Sequence, residues 1–152
     1  MDDQAILVSS GRRIAVISEE GIVLARQAGR EMSAGLGLSG MDQTLVATAI
    51  SEVARNILLY AGRGTVELEV TPPGPNGYGL RIRAVDEGPG IADIELAMRD
   101  GYSTGSSLGL GLPGARRLMD DFSITSEPGS GTVVTMVKWG GTALPVVEGA
   151  SP

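Results

Sequence analysis

Apolar residues recur along this chain with two different periods, and the period separates strands from helices. Val66, Leu68 and Val70 alternate with Glu67 and Glu69, and Leu80, Ile82 and Ala84 alternate with Arg81 and Arg83. Both runs read as strands with one buried and one wet face, joined as a hairpin through the loop Pro72-Pro73-Gly74-Pro75-Asn76-Gly77. A short apolar run over residues 13–17 reads as an edge strand. Residues 122–126 and 132–139 add two more strands around the turn Glu127-Pro128-Gly129-Ser130-Gly131.

Between the strands the period lengthens. Leu24, Ala28, Met32 and Leu36 repeat every four residues, which predicts a helix from about Ile22, entered through Ser18-Glu19-Glu20 and ended by Gly35, Gly37 and Gly40. A second helix is expected over residues 42–60, with Ile50, Val53, Ala54, Ile57 and Leu58 as its buried stripe. A short helical piece follows at residues 93–98. A last helix runs from Leu112 to about Asp120 with Leu112, Ala115, Leu118 and Met119 inward. The result is an α+β fold: a two-layer α/β sandwich whose mixed, mostly antiparallel sheet carries helices on one face. Residues 1–140 read as one domain. The small, Pro-containing, aperiodic stretch 141–152 reads as a flexible tail.

Composition narrows the chemistry. The chain has 152 residues, no cysteine and no histidine, so thiol nucleophiles, disulfides, a histidine base and a phosphohistidine are excluded, and acid-base work falls to carboxylates. A net charge of -6 argues against nucleic acid as a partner, because a phosphate-binding surface needs clustered Lys and Arg. The N-terminus Met1-Asp2-Asp3 lacks a basic region ahead of an apolar run, and no apolar stretch approaches bilayer length, so no membrane association and a cytoplasmic location are expected.

Three places carry candidate chemistry. Asp86 ends a strand and opens the turn Glu87-Gly88-Pro89-Gly90. An ionised Asp only accepts hydrogen bonds, which suits the exocyclic amine of adenine, and the two glycines let main chain lie close against a flat ring. Standing alone, the stretch reads first as a simple tight turn. Glu52 and Asn56 are four residues apart on one helix and project together. An amide oxygen suits Mg²⁺ and a carboxylate one turn earlier can deprotonate a hydroxyl beside it; the alternative is an ordinary polar edge. Gly109-Leu110-Gly111 opens a helix, which aims unpaired N–H groups at a phosphate or else merely lets helix and sheet pack closely. The preceding polar segment, residues 100–107, reads as a mobile lid. Arg116 and Arg117 meet an acidic partner or phosphate, or form a solvated helix face.

In this order and at these intervals, Ser51-Glu52-Val53-Ala54-Arg55-Asn56, Asp86-Glu87-Gly88-Pro89-Gly90 and Gly105 through Gly111 resemble the N, G1 and G2 boxes of the GHKL (Bergerat) ATP-binding superfamily. Within it, Ile57-Leu58-Leu59-Tyr60-Ala61-Gly62, Asp100-Gly101-Tyr102-Ser103-Thr104 and residues 107–120 look closely like the RsbT-like switch kinases of the stressosome. The likeness covers roughly residues 12–139 and misses the tail.

The resemblance implies ATP and Mg²⁺ as cofactors. Glu52 would be the general base, Asn56 the Mg²⁺ ligand, Asp86 the adenine contact with Gly88 and Gly90 against the ring, Gly105, Gly109, Leu110 and Gly111 the phosphate-side segment, and Thr132 a water-mediated adenine support. The implied reaction is transfer of the ATP γ-phosphate to Ser or Thr of a STAS-domain antagonist (RsbS- or RsbR-like), followed by binding and activation of a PP2C-type phosphatase (RsbU-like). The alternatives are an anti-sigma factor of RsbW or SpoIIAB type, which shares the three boxes, and a nucleotide-gated binder without catalysis. A histidine kinase is disfavoured, since it needs a phosphoacceptor His.

Overall fold

The computed structural model describes residues 11–88, 98, 111–127 and 129–143. The elements in chain order are β1 (Gly11–Val16), α1 (Glu19–Gly35), α2 (Gly40–Tyr60), β2 (Gly64–Gly74), β3 (Gly77–Asp86), α3 (Gly111–Leu118), β4 (Asp121–Glu127) and β5 (Gly131–Gly141). The strands form one sheet in the order β1-β2-β3-β5-β4, and every described pairing is antiparallel. This is the α+β sandwich expected from the alternation of the two periods. The expected helical piece at 93–98 and the lid at 100–107 lie outside the described residues, apart from Met98 at a turn.

One face of the sheet supplies the core. Val66, Leu68, Leu80, Ile82, Ala84, Val134 and Met136 are all buried, and they alternate along their strands with charged or half-buried residues. On the outer face, Arg13, Glu67 and Arg83 stand in one cross-strand row, with Arg83 Nη1 2.8 Å from Glu67 Oε1. Arg81 and Glu69 pair in the row beside it. Such half-buried pairs on the solvent face favour register and solubility more than stability.

The helices refine the expected pattern. α1 begins at Glu19, three residues before the expected start at Ile22, and two acidic side chains sit at the positive end of the helix dipole. Its buried face is Ile22, Ala25, Ala28 and Met32, with Leu36 at the cap, whereas Leu24 is 49% exposed. The reason is phase: a strict repeat of four drifts about 40° per step on a helix of 3.6 residues per turn, so the first member of the series rotates out to solvent. α2 is capped by Ser39, whose Oγ accepts the Asp42 amide at 3.1 Å. It lies against α1, α3 and the sheet, and the consequence is a buried face wide enough to include Ser51 and Glu52. Leu58 packs against the core only partly.

The β2–β3 loop is shorter than the proline-rich sequence suggests. β2 continues to Gly74, which pairs with Gly77 past an irregularity after Thr71, and the reversal is left to Pro75 and Asn76. At the other end of the sheet β5 reaches Gly141. The amides of Thr142 and Ala143 then donate to the Leu36 carbonyl at 2.8 and 3.1 Å.

Candidate active site

The centre of the site is Glu52, a carboxylate 7% exposed on the middle of α2. Burying a carboxylate without partners is costly, so the groups that compensate it define its role. Its Oε1 accepts the main-chain N–H of Gly111, the first residue of α3, at 3.0 Å. Its Oε2 faces Arg55 Nη1 at 3.3 Å from one turn along the same helix. Gly111 adopts φ +71°, a left-handed angle that costs other residues about 1 kcal/mol or more, and this turn aims the N–H across at α2. The positive end of α3 therefore rests on the Glu52 carboxylate. Ser51, beside it, donates to Ala47 O at 3.0 Å and receives Arg26 Nη1 at 3.5 Å. Asn56 follows one turn after Glu52 and is part-exposed, as an amide that is to meet a ligand must be.

A second group lies at the strand ends beyond the C-terminus of α2. Asp86 is the last residue of β3, flanked by Gly64 of β2 and Thr132 of β5. Its Oδ1 accepts the Gly88 amide at 2.9 Å and closes the turn. The close approach at Gly88 is to Ala61, whose Cα would stand 2.8 Å from an added Cβ. Gly88 is thus a glycine because the turn packs on the end of α2. Thr132 is 4% exposed, and its Oγ1 lies 2.9 Å from Ser126 Oγ, itself 3.0 Å from the Gly131 carbonyl it donates to.

Of the residues singled out from sequence, Glu52 and Gly111 meet at the α2–α3 contact, Asn56 stands half-buried one turn further along α2, and Asp86, Gly88 and Thr132 lie together at the sheet end. Gly90, Gly105, Gly109 and Leu110 lie outside the described residues. Three contributors escaped the sequence reading. Arg55 was legible in principle, since an acid and a base three residues apart on a helix face each other. Gly131, at φ +102°, runs so close that an added Cβ would overlap the Asp86 carbonyl oxygen, and one on Gly64 would come 3.1 Å from the Asp86 Cβ. No local signal marks those two, because the close neighbour belongs to another strand.

The described residues contain no group of three or more His, Cys, Asp or Glu able to hold a metal ion. That donor set fits Mg²⁺ only in its usual nucleotide-bound form, with one or two protein oxygens and the rest from phosphates and water. Asn56, half-buried one turn after Glu52, is the residue that would supply such an oxygen.

Residues 41–139 match the family described as histidine kinase-, DNA gyrase B-, and HSP90-like ATPase. The chain is 50% identical over 127 residues to the serine/threonine-protein kinase RsbT of Bacillus subtilis strain 168, covering 83% of this chain and 94% of that one. It is 31% identical over 100 residues to the anti-sigma F factor of Thermoanaerobacter sp. strain X514, covering 64% and 70%. In fold it resembles the crystal structure of the RsbU and RsbW domains of a Mycobacterium tuberculosis protein, with TM-score 0.60, 19% identity, 90% of this chain and 34% of that one. The chain belongs to the histidine kinase-, DNA gyrase B- and HSP90-like ATPase family. It is an ATP-using protein kinase, as its near full-length likeness to a protein kinase indicates.

Proposed function

We propose that this chain is the serine/threonine kinase of a partner-switching stress-response module. It transfers the γ-phosphate of Mg²⁺-ATP to a Ser or Thr of a STAS-domain antagonist of RsbS or RsbR type, and then binds and activates a PP2C-type phosphatase of RsbU type. The observation that carries this reading is the Gly111–Glu52 contact, which joins a buried carboxylate to the segment on the phosphate side across 59 positions of sequence.

Glu52 acts as general base. It takes the proton from the acceptor hydroxyl as that oxygen bonds to the γ-phosphorus; the bond from phosphorus to the β–γ bridging oxygen breaks, and ADP leaves with that electron pair. Asn56 holds Mg²⁺, which neutralises phosphate charge when bound. Asp86 accepts the adenine amine, with Gly88 and Gly90 against the ring and Thr132 supporting the contact through water. Gly105, Gly109, Leu110 and Gly111 form the phosphate side. Positioning and charge account for most of such catalysis, and this chain has the groups for both.

The kinase works in the cytoplasm as a single domain over residues 1–140, and its partners are proteins rather than nucleic acid or membrane. Among the described residues no helix is long and apolar enough to cross a membrane. A second reading, anti-sigma factor by sequestration, is favoured by the 31% likeness to the anti-sigma F factor. The two are separated by incubating the chain with Mg²⁺, γ-labelled ATP and the STAS-domain proteins encoded beside it, then mapping any phosphorylated residue by mass spectrometry. Labelled Ser or Thr on a STAS protein, and PP2C phosphatase activity that rises on adding the chain, are expected. ATP binding without label, together with capture of a sigma factor, would replace this reading with the second.

A further inference from the structure

We infer that Arg55 is a positioning residue for phosphoryl transfer, holding one oxygen of the Glu52 carboxylate while the Gly111 amide holds the other. The inference rests on the reading of Glu52 as the base. The two oxygens have separate anchors, Oε1 to Gly111 N at 3.0 Å and Oε2 to Arg55 Nη1 at 3.3 Å. The terminal torsion of a glutamate is soft, so a single anchor would leave the carboxylate plane free to swing. A base must present a lone pair to one hydroxyl in one direction, and two anchors on opposite oxygens fix that direction.

The two anchors differ in kind. Gly111 belongs to α3, at the start of which phosphate contacts are expected, so its N–H has two acidic claimants. Arg55 belongs to the same helix as Glu52, three residues on, and its distance is preset by α2 whatever α3 does. The burial of the pair is unequal, with the Glu52 side chain 8% exposed and that of Arg55 34%. Arg55 therefore enters from the solvent side of a buried carboxylate and keeps the orientation when the amide is drawn to phosphate. A lysine there would supply charge without the planar fork of donors.

The test compares the full-length chain with Arg55→Met, Arg55→Lys and Glu52→Ala at saturating Mg²⁺-ATP. Transfer of labelled γ-phosphate is followed to a STAS protein encoded alongside, or to water, and affinity is read by titration with AMPPNP. Arg55→Met is expected to lower kcat about tenfold or more with the AMPPNP Kd within about threefold, and Arg55→Lys to recover part of the loss. A parental kcat in Arg55→Met overturns the inference. So does an AMPPNP Kd that rises in step with the loss of kcat/KM, which would make Arg55 a phosphate contact. If Arg55→Met does not fold, Arg55→Lys decides, and a parental kcat there is contrary. Parental transfer by Glu52→Ala removes the base reading and this inference with it; an inactive Glu52→Ala beside a fully active Arg55→Met removes this inference alone.

Discussion

The main-chain N–H of Gly111 donates to the Glu52 carboxylate at 3.0 Å, so the first residue of α3 is fastened to the middle of α2. The amide can reach because Gly111 takes φ +71°. Replacing it by alanine puts a Cβ in a left-handed conformation at a cost of about 1 to 2 kcal/mol. Gly111→Ala is expected to lower the melting temperature by several degrees and to slow phosphoryl transfer, with circular dichroism melts and labelled ATP as the measurements. An unchanged melt would mean that the turn can be made without glycine.

At the sheet end, Asp86 is proposed to accept the adenine amine. Hydrogen bonds to charged groups contribute about 1.5 to 3 kcal/mol, so Asp86→Asn should weaken ATP binding by about tenfold to a hundredfold. Asn keeps an oxygen for the Gly88 amide, which is why the fold should survive. Calorimetric titration with AMPPNP reads the change, and a parental Kd would place the base elsewhere.

Gly131→Ala acts on the same wall from behind. At φ +102°, with the Asp86 carbonyl oxygen in the way, an added methyl forces β5 off β3 just where Asp86 and Thr132 pair. A loss of about 1 to 3 kcal/mol in urea unfolding is expected, with weakened nucleotide binding beside it. Weakened stability with full affinity would separate the glycine from the site.

Lys138 predicts a contrast between a buried charge and the half-buried charges of the solvent face. Only 9% exposed, its ammonium donates to Leu118 O at 3.1 Å at the end of α3 and lies within 3.7 Å of both Asp42 and Asp120. Lys138→Met leaves those oxygens short of a donor and should cost about 1 to 3 kcal/mol, whereas Arg83→Ala, from the open sheet face, should cost at most about 1 kcal/mol. Urea midpoints of the two variants measure this. Equal losses would show the Lys138 contacts to be as weak as surface pairs.

The strands were legible because one buried and one wet face force a period of two, and Glu67, Arg81 and Arg83 mark the wet side without ambiguity. α1 was legible as a helix with Ala28, Met32 and Leu36 inward, but not at Leu24, because a repeat of four drifts around a 3.6-residue turn. Glu52 and Asn56 could be paired by their spacing. That Gly111 would be the residue to meet Glu52 could not be read from the pattern, since it depends on where α3 docks. The proximity of Gly131 and Gly64 to Asp86 is likewise set by strand register, which composition does not encode.

If Glu52 is a base rather than a binding group, as proposed, one paired measurement on Glu52→Ala separates the two roles. AMPPNP affinity and single-turnover transfer from labelled ATP to the STAS-domain protein are determined on the same preparation. Affinity within about threefold of the parent and transfer slowed by about a hundredfold or more are expected, the range that loss of a general base commonly gives. Transfer at the parental rate would contradict the base role.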